Sequence, residues 1–295
     1  MNEAGEKGGH GSPARPRRFR EFSFFIQNKK GLAGMIILLA IFVLAFSAPL
    51  IAPHNPTQMY PAERFSPPNS RHPLGTDFYG RDILSRILYG YRTSLYIALS
   101  SVILAVLLGG SLGILAGYFP CLEAPIMRAM DILFAFPVLL LAITIVVILG
   151  PGSLSTILAI GIVYTPIFAR IARAPTLAVK EEDYVEAARA LGASAWKVIT
   201  QHILPNVAVP IFIQATINLA TALIFESSLS FLGLGTQPPQ PSLGLMVSEG
   251  RNYLELSPYA TVFPGAAIAI AVLGFNLMGD ALQDLLNPQL RQRSG

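Results

Sequence analysis

Side chains able to do chemistry are few in this sequence, and most stand apart from one another. His10, His54, His72 and His202 lie far apart and show no metal-ligand spacing, and Cys121 is the only cysteine. One cysteine permits neither an internal disulfide nor a cysteine-based metal site. Glu226 stands in an apolar run, where an acid costs about 2.5–3.5 kcal/mol at mid-membrane depth and so must face protein or water. It is either a pathway or gating residue, or the acceptor of a hydrogen bond from a hydroxyl or amide on a facing helix. Asp77, Gly80, Arg81 and Asp82 gather in a polar stretch, as a charge network at an outer mouth or as a local helix cap. Glu181, Glu182 and Asp183 gather in another. No G-x-x-x-x-G-K-[ST] run exists to cradle a nucleotide phosphate, and there is no nucleophile elbow. The expectation is a chain that binds no metal or cofactor and catalyses nothing itself.

The elements around these residues are those of a membrane protein. Hydrophobic residues make up 53% of the chain and charged residues 13%, against roughly 25% charged in an average soluble domain. A span needs about 20 mostly apolar residues, and the runs at 31–52, 94–117, 131–150, 154–174, 207–232 and 259–284 meet that need. This predicts an all-α protein with about six spans. Gly150, Pro151, Gly152 and Ser153 make a tight reversal between two of them. Gly109, Gly113 and Gly117, four residues apart, allow close approach of another helix, with pore lining as the lesser alternative. Asn218 reads as a packing residue between helices, and Asp131 as stabilising a helix start.

Most of the 21 Lys and Arg fall in the two tails and in the 176–206 stretch. That bias puts both termini on the cytoplasmic side. The modest formal charge of +4 and the lack of a basic stripe interleaved with aromatics argue against nucleic-acid binding. Residues 1–30 form a polar basic tail, in which Phe19 to Ile26 suggest a short surface helix. In the 53–93 loop, prolines forbid a long helix before Gly80. After it, Ile83, Leu84, Ile87, Leu88 and Tyr91 recur at helical spacing, with Arg81, Asp82, Arg86 and Arg92 off that face. This predicts an amphipathic helix on the membrane surface, or simply the start of the next span.

The stretch 176–206, TLAVKEEDYVEAARALGASAWKVITQHILPN, is polar with a helical pattern. Its acids suit a helix N-terminus. Ala187, Ala188 and Ala190 leave the backbone approachable, and Gly192 suits a left-handed helix end. Ser194 can cap a second helix, which the pattern ends near Pro205. Helix–turn–helix of this kind suits docking to a partner.

Glu186-Ala187-Ala188, then Gly192, then Leu204-Pro205, resembles the EAA loop of binding-protein-dependent ABC importer permeases. His202 stands where the general pattern has isoleucine, and the string His202 to Asn206 is similar to the peptide-permease branch. His72 to Asp77 with Gly80-Arg81-Asp82 and Leu84-Ser85-Arg86 resembles the external segment of the C-type subunit of dipeptide and oligopeptide permeases. So do Leu229 to Gly235 with Gln237-Pro238-Pro239, Gly279-Asp280 and Leu286-Asn287-Pro288. The resemblance covers the chain from about Phe22 onward.

The resemblance implies a type I ABC importer permease fold in the bacterial inner membrane. It implies the divisions 1–30 (cytoplasmic tail), 31–93 (first span and external loop), 94–286 (permease core) and 287–295 (cytoplasmic tail). It also implies two ATP-binding subunits that hold ATP and Mg, a second related permease, and an extracytoplasmic peptide-binding protein. Glu186, Ala187, Ala188, Gly192, Leu204 and Pro205 would couple to the ATPases, while Asp77, Gly80, Arg81 and Asp82 would gate the outer mouth or meet the binding protein. Nickel, glutathione or an opine is the alternative cargo. An ion-driven transporter would need intramembrane charges and internal repeats. Glu226 is the lone candidate charge, and no repeat is visible.

Overall fold

The structure, a computed structural model, describes residues 29–286. The tail up to residue 28, with the surface helix expected there, lies outside the described residues, as do Asn287, Pro288 and the C-terminal tail. Ten helices carry the described part: α1 Lys29–Ile51, α2 Ile83–Tyr118, α3 Pro120–Phe134, α4 Val138–Leu149, α5 Ser153–Lys180, α6 Asp183–Ala190, α7 Ala195–Val198, α8 Leu204–Phe231, α9 Leu243–Gly250 and α10 Tyr259–Leu286. Among the described residues the only β-pairing is an isolated bridge between Thr76 and Asp82.

Five stretches are long and apolar enough to cross a membrane, and the bent pair α3–α4 makes a sixth if counted as one. The span expected at 131–150 is the second part of this bent pair. Its helix begins at Pro120, breaks at residues 135–137, and α3 and α4 meet at 94°. Pro137 explains the break: it has no N–H to donate and pushes Phe136 out of the helical region. Asp131 therefore lies near the end of α3, not at a helix start, and pairs with Arg170 at 2.7 Å.

The amphipathic surface helix is also absent as a separate element. Ile83 to Tyr118 is one helix of 36 residues, about 54 Å long at 1.5 Å per residue, well beyond the roughly 30 Å hydrocarbon core. Its first turns are covered by the 52–82 segment, α9 and α10. Tyr91, in these turns, donates its hydroxyl to the carbonyl of Ala267 at 2.9 Å.

At the heart of the bundle α2 packs lengthwise on α5. The glycine stripe makes that possible. A Cβ on Gly109 or Gly113 would sit 2.3 or 2.2 Å from the carbonyl oxygens of Thr165 and Ala169. One on Gly117 would lie 2.7 Å from the Thr176 side chain. These glycines thus serve helix packing. The chain reverses after α4 through Gly150 and Gly152, and the Gly152 N–H reaches the Leu234 carbonyl at 3.1 Å.

The helix expected to end near Pro205 does not end there. α7 runs through a wider turn, Ile199–Ile203, directly into α8. In that turn the Leu204 N–H bonds to the carbonyl five residues back, Ile199. A turn of this width takes up the missing donor and the ring of Pro205 without stopping the helix.

Candidate functional site

The two polar stretches found in the sequence lie at opposite ends of the bundle. At one end, the 52–82 segment folds onto the start of α2 and onto α9. Gly80 has φ +75°, and a Cβ there would lie 2.0 Å from the Tyr60 carbonyl oxygen, so only glycine fits. Asp77 accepts backbone N–H groups from Tyr79 and Arg81 at 2.8 and 2.9 Å. Its second oxygen takes Arg81 Nε at 2.7 Å and also bonds Arg86. Glu249 on α9 closes the clasp, 2.7 Å from Arg81 Nη2 and 2.9 Å from Arg86 Nη2. Two guanidinium groups and two carboxylates thus balance with little solvent contact.

Asp77, Arg81 and Asp82 are buried, so their charges face inward. Arg86, expected to face away from the apolar side, is 2% exposed. This corrects the helical-wheel reading, because Asp77 and Glu249 supply partners where a wheel sees only solvent. Asp82, and not Asp77, caps α2, accepting the Ser85 N–H at 2.7 Å. Arg86, Glu249 and the two histidines near Asp82 were missed as site residues. The even balance of acids and arginines in this stretch was the available signal.

At the other end, residues 181–203 stand out from the bundle. α6 closes on Gly192 at φ +84°, with Gly192 N–H to Arg189 carbonyl at 2.9 Å and Ala193 N–H to Ala188 carbonyl at 3.0 Å. That pair of bonds is the Schellman arrangement. Ser194 caps α7 by accepting the Lys197 N–H at 3.3 Å. Val185, Val198 and Ile203 root the segment in the bundle with no exposure. Glu186 and Ala187 are exposed and Ala188 is half-buried, while Leu204 and Pro205, both exposed, begin α8. The structure adds three side chains that sequence reasoning passed over: Tyr184, Leu191 and Trp196 are 48%, 89% and 74% exposed. These large apolar groups stand in solvent on an otherwise polar segment.

Glu226 is fully buried in α8. Ser230 Oγ donates to it at 2.8 Å and Ser227 Oγ at 3.4 Å. Ser94 accepts the Leu243 N–H at 3.2 Å. Both hydrogen bonds to the acid come from its own helix, while Ser94 beside it ties α2 to the start of α9. Asn218 accepts from Gln214 on its own helix at 2.9 Å.

Comparison with known proteins agrees with this architecture. The profile of the family described as binding-protein-dependent transport system inner membrane component matches residues 105–292. The chain belongs to this family. Residues 19–68 match the N-terminal transmembrane domain of oligopeptide transport permease C. The dipeptide transport system permease protein DppC of Alkalihalophilus pseudofirmus is 41% identical over 266 residues, 90% of this chain and 88% of its own length. The glutathione transport system permease protein GsiD of Pectobacterium atrosepticum is 42% identical over 277 residues, 92% of each chain. Among solved structures, a chain of the MetNI methionine ABC transporter in an inward-facing form is similar in fold, at TM-score 0.53 and 18% identity over 68% of this chain and 97% of that one. This binding-protein-dependent permease is a multi-pass membrane subunit and not the ATPase of its transporter.

Proposed function

We propose that the chain is a permease subunit of an ATP-driven importer of short peptides. The observation that carries the reading is the 181–203 segment. It projects from the bundle with Leu191 and Trp196 exposed, yet continues without a break into α8. A partner gripping such a segment moves a whole spanning helix with it. The family supports ATPase subunits as that partner, and ATP and Mg belong on them. Glu186, Ala187, Ala188 and Gly192 shape the gripped surface, and Leu204-Pro205 begin the lever.

In this reading both termini and the 181–203 segment face the cytoplasm, in keeping with the Lys and Arg bias. The 52–82 segment and α9 face outward, where Asp77, Gly80, Arg81 and Asp82 hold the shape of the mouth that an extracytoplasmic peptide-binding protein meets. A second related permease completes the pathway, and the complex sits in the bacterial inner membrane. ATP-driven contacts must favour one access state over the other, since a ligand shifts an equilibrium only through differential affinity.

The likeness to a dipeptide permease supports peptide cargo, and the equal likeness to a glutathione permease favours glutathione, itself a short peptide, as the second reading. The test is uptake of labelled dipeptide, longer peptide, glutathione and nickel in cells with and without the chain. Loss of dipeptide or longer-peptide uptake, with nickel intact, is the expected result. Loss of glutathione uptake alone moves the chain to the second reading, and loss of nickel uptake alone overturns both.

A further inference from the structure

In the 52–82 segment, two histidines to which no role has been given meet the acid that caps α2. His54 follows α1, His72 lies in the coil, and Asp82 caps α2, and the fold brings one ligand atom of each within 4.8 Å of the others. His54 Nδ1 lies 3.9 Å and His72 Nδ1 2.9 Å from the same Asp82 Oδ1. Asp82 Oδ2 is occupied by the Ser85 N–H at 2.7 Å, which leaves Oδ1 to serve the cluster. His72 Nε2 turns the other way, to Glu63 Oε2 at 2.7 Å. His54 Nδ1 is buried without any hydrogen-bond partner. The His54 backbone N–H is fastened to Ser85 Oγ at 3.0 Å, and its ring stacks on that of His72 at 4.6 Å.

A buried ring nitrogen with no partner, 3.9 Å from a carboxylate oxygen that a second imidazole also reaches, is what a metal would satisfy. We propose that His54, His72 and Asp82 bind one divalent transition metal, with zinc the best match. Imidazole and carboxylate ligands suit it. Zinc bonds of about 2.0–2.1 Å in tetrahedral array put neighbouring ligand atoms about 3.3 Å apart. The separations of 2.9 and 3.9 Å bracket that value. Glu63 is then a positioning residue. It accepts the hydrogen bond of the His72 Nε2–H, orients the ring and raises the basicity of Nδ1, as carboxylates do behind metal-bound histidines. The fourth coordination position falls to water. Bound metal would link the end of α1 to the start of α2 and bind the outer segment into one piece.

A bland alternative has His72 simply bridging two carboxylates. In that case His54 would be dispensable, and this separates the two. The experiment is titration of Zn²⁺ into the full-length chain, in its assembled and chelator-stripped complex in detergent, with zinc X-ray absorption on the product. Wild type is expected to bind one Zn²⁺ per chain, with nitrogen and oxygen at about 2.0 Å and no sulfur. Because His54 Nδ1 has no hydrogen-bond partner in the protein, His54→Ala should keep its helix content and elution volume, yet weaken Zn²⁺ at least tenfold. Glu63→Gln should weaken it about 10–100-fold. Zinc binding in His54→Ala equal to wild type would overturn the site, as would a wild-type titration with no saturable equivalent.

Discussion

The 52–82 and 181–203 segments are both polar, charge-rich connections, and the fold treats them in opposite ways. In the first, Asp77 and Arg81 are buried and meet each other, Arg86 of α2 and Glu249 of α9, while the buried Asp82 meets His72 and the Ser85 N–H. In the second, Glu181, Glu182, Asp183 and Glu186 stay in solvent, and the apolar Leu191 and Trp196 join them there. The first segment buries the charges nearest α2, with Arg64 and Arg71 left outside, while the second exposes both its charge and its apolar side chains. Charge content alone therefore does not say which loop is a rigid strut and which a docking surface. What matters is whether counter-charges from another element come within reach.

Several measurements would break or sharpen this contrast. The largest effect is expected for Arg86→Met. Removing one partner from a buried ion cluster costs about 3–5 kcal/mol, read as a drop in thermal stability of the purified chain. A cost under about 1 kcal/mol would mean that the clasp is solvated and the contrast false. Next come two glycines with the same left-handed backbone. Gly80→Ala puts its Cβ 2.0 Å from the Tyr60 carbonyl and should cost about 3 kcal/mol or more. Gly192→Ala meets nothing within 4 Å and should cost only the about 1–2 kcal/mol of handedness. Equal losses in the two variants would show that the segments are equally packed.

Amide hydrogen exchange compares the segments directly. Backbone groups at 181–203 should exchange at least about tenfold faster than those at 72–83. Comparable protection would mean that the projecting segment is held more firmly than its contacts suggest. The smallest effect on stability belongs to Leu191→Ser and Trp196→Ala, within about 0.5 kcal/mol. If these side chains anchor a partner, peptide uptake in cells should nonetheless fall about tenfold or more. Full uptake in both variants would remove them from the docking surface.

Much of this protein was legible along the chain. The spans at 31–52, 207–232 and 259–284 correspond to α1, α8 and α10 within a few residues. Gly192 and Ser194 announced the helix, turn and helix of the projecting segment because capping is a matter of a few neighbouring residues. The Gly109, Gly113 and Gly117 stripe announced a close helix contact, though not that its partner is α5. Periodicity misread Arg86, since a helical wheel records direction and not what lies there. Leu191 and Trp196 were missed because a polar stretch masks single apolar residues.

The sequence by itself determined the class of the protein: all-helical, membrane-spanning, with a polar helix–turn–helix segment between the fourth and fifth expected spans. Those properties follow from composition, period and capping, all of them local. The tertiary structure alone decided where the charges go. Arg81 meets Glu249 across 168 positions of sequence, and His54, His72 and Asp82 converge although each lies in a different part of its segment. It also decided the 94° bend between α3 and α4 and the burial of Glu226. Whether a polar group is solvated, paired or a metal ligand depends on which distant element removes its water, and only the folded chain sets that.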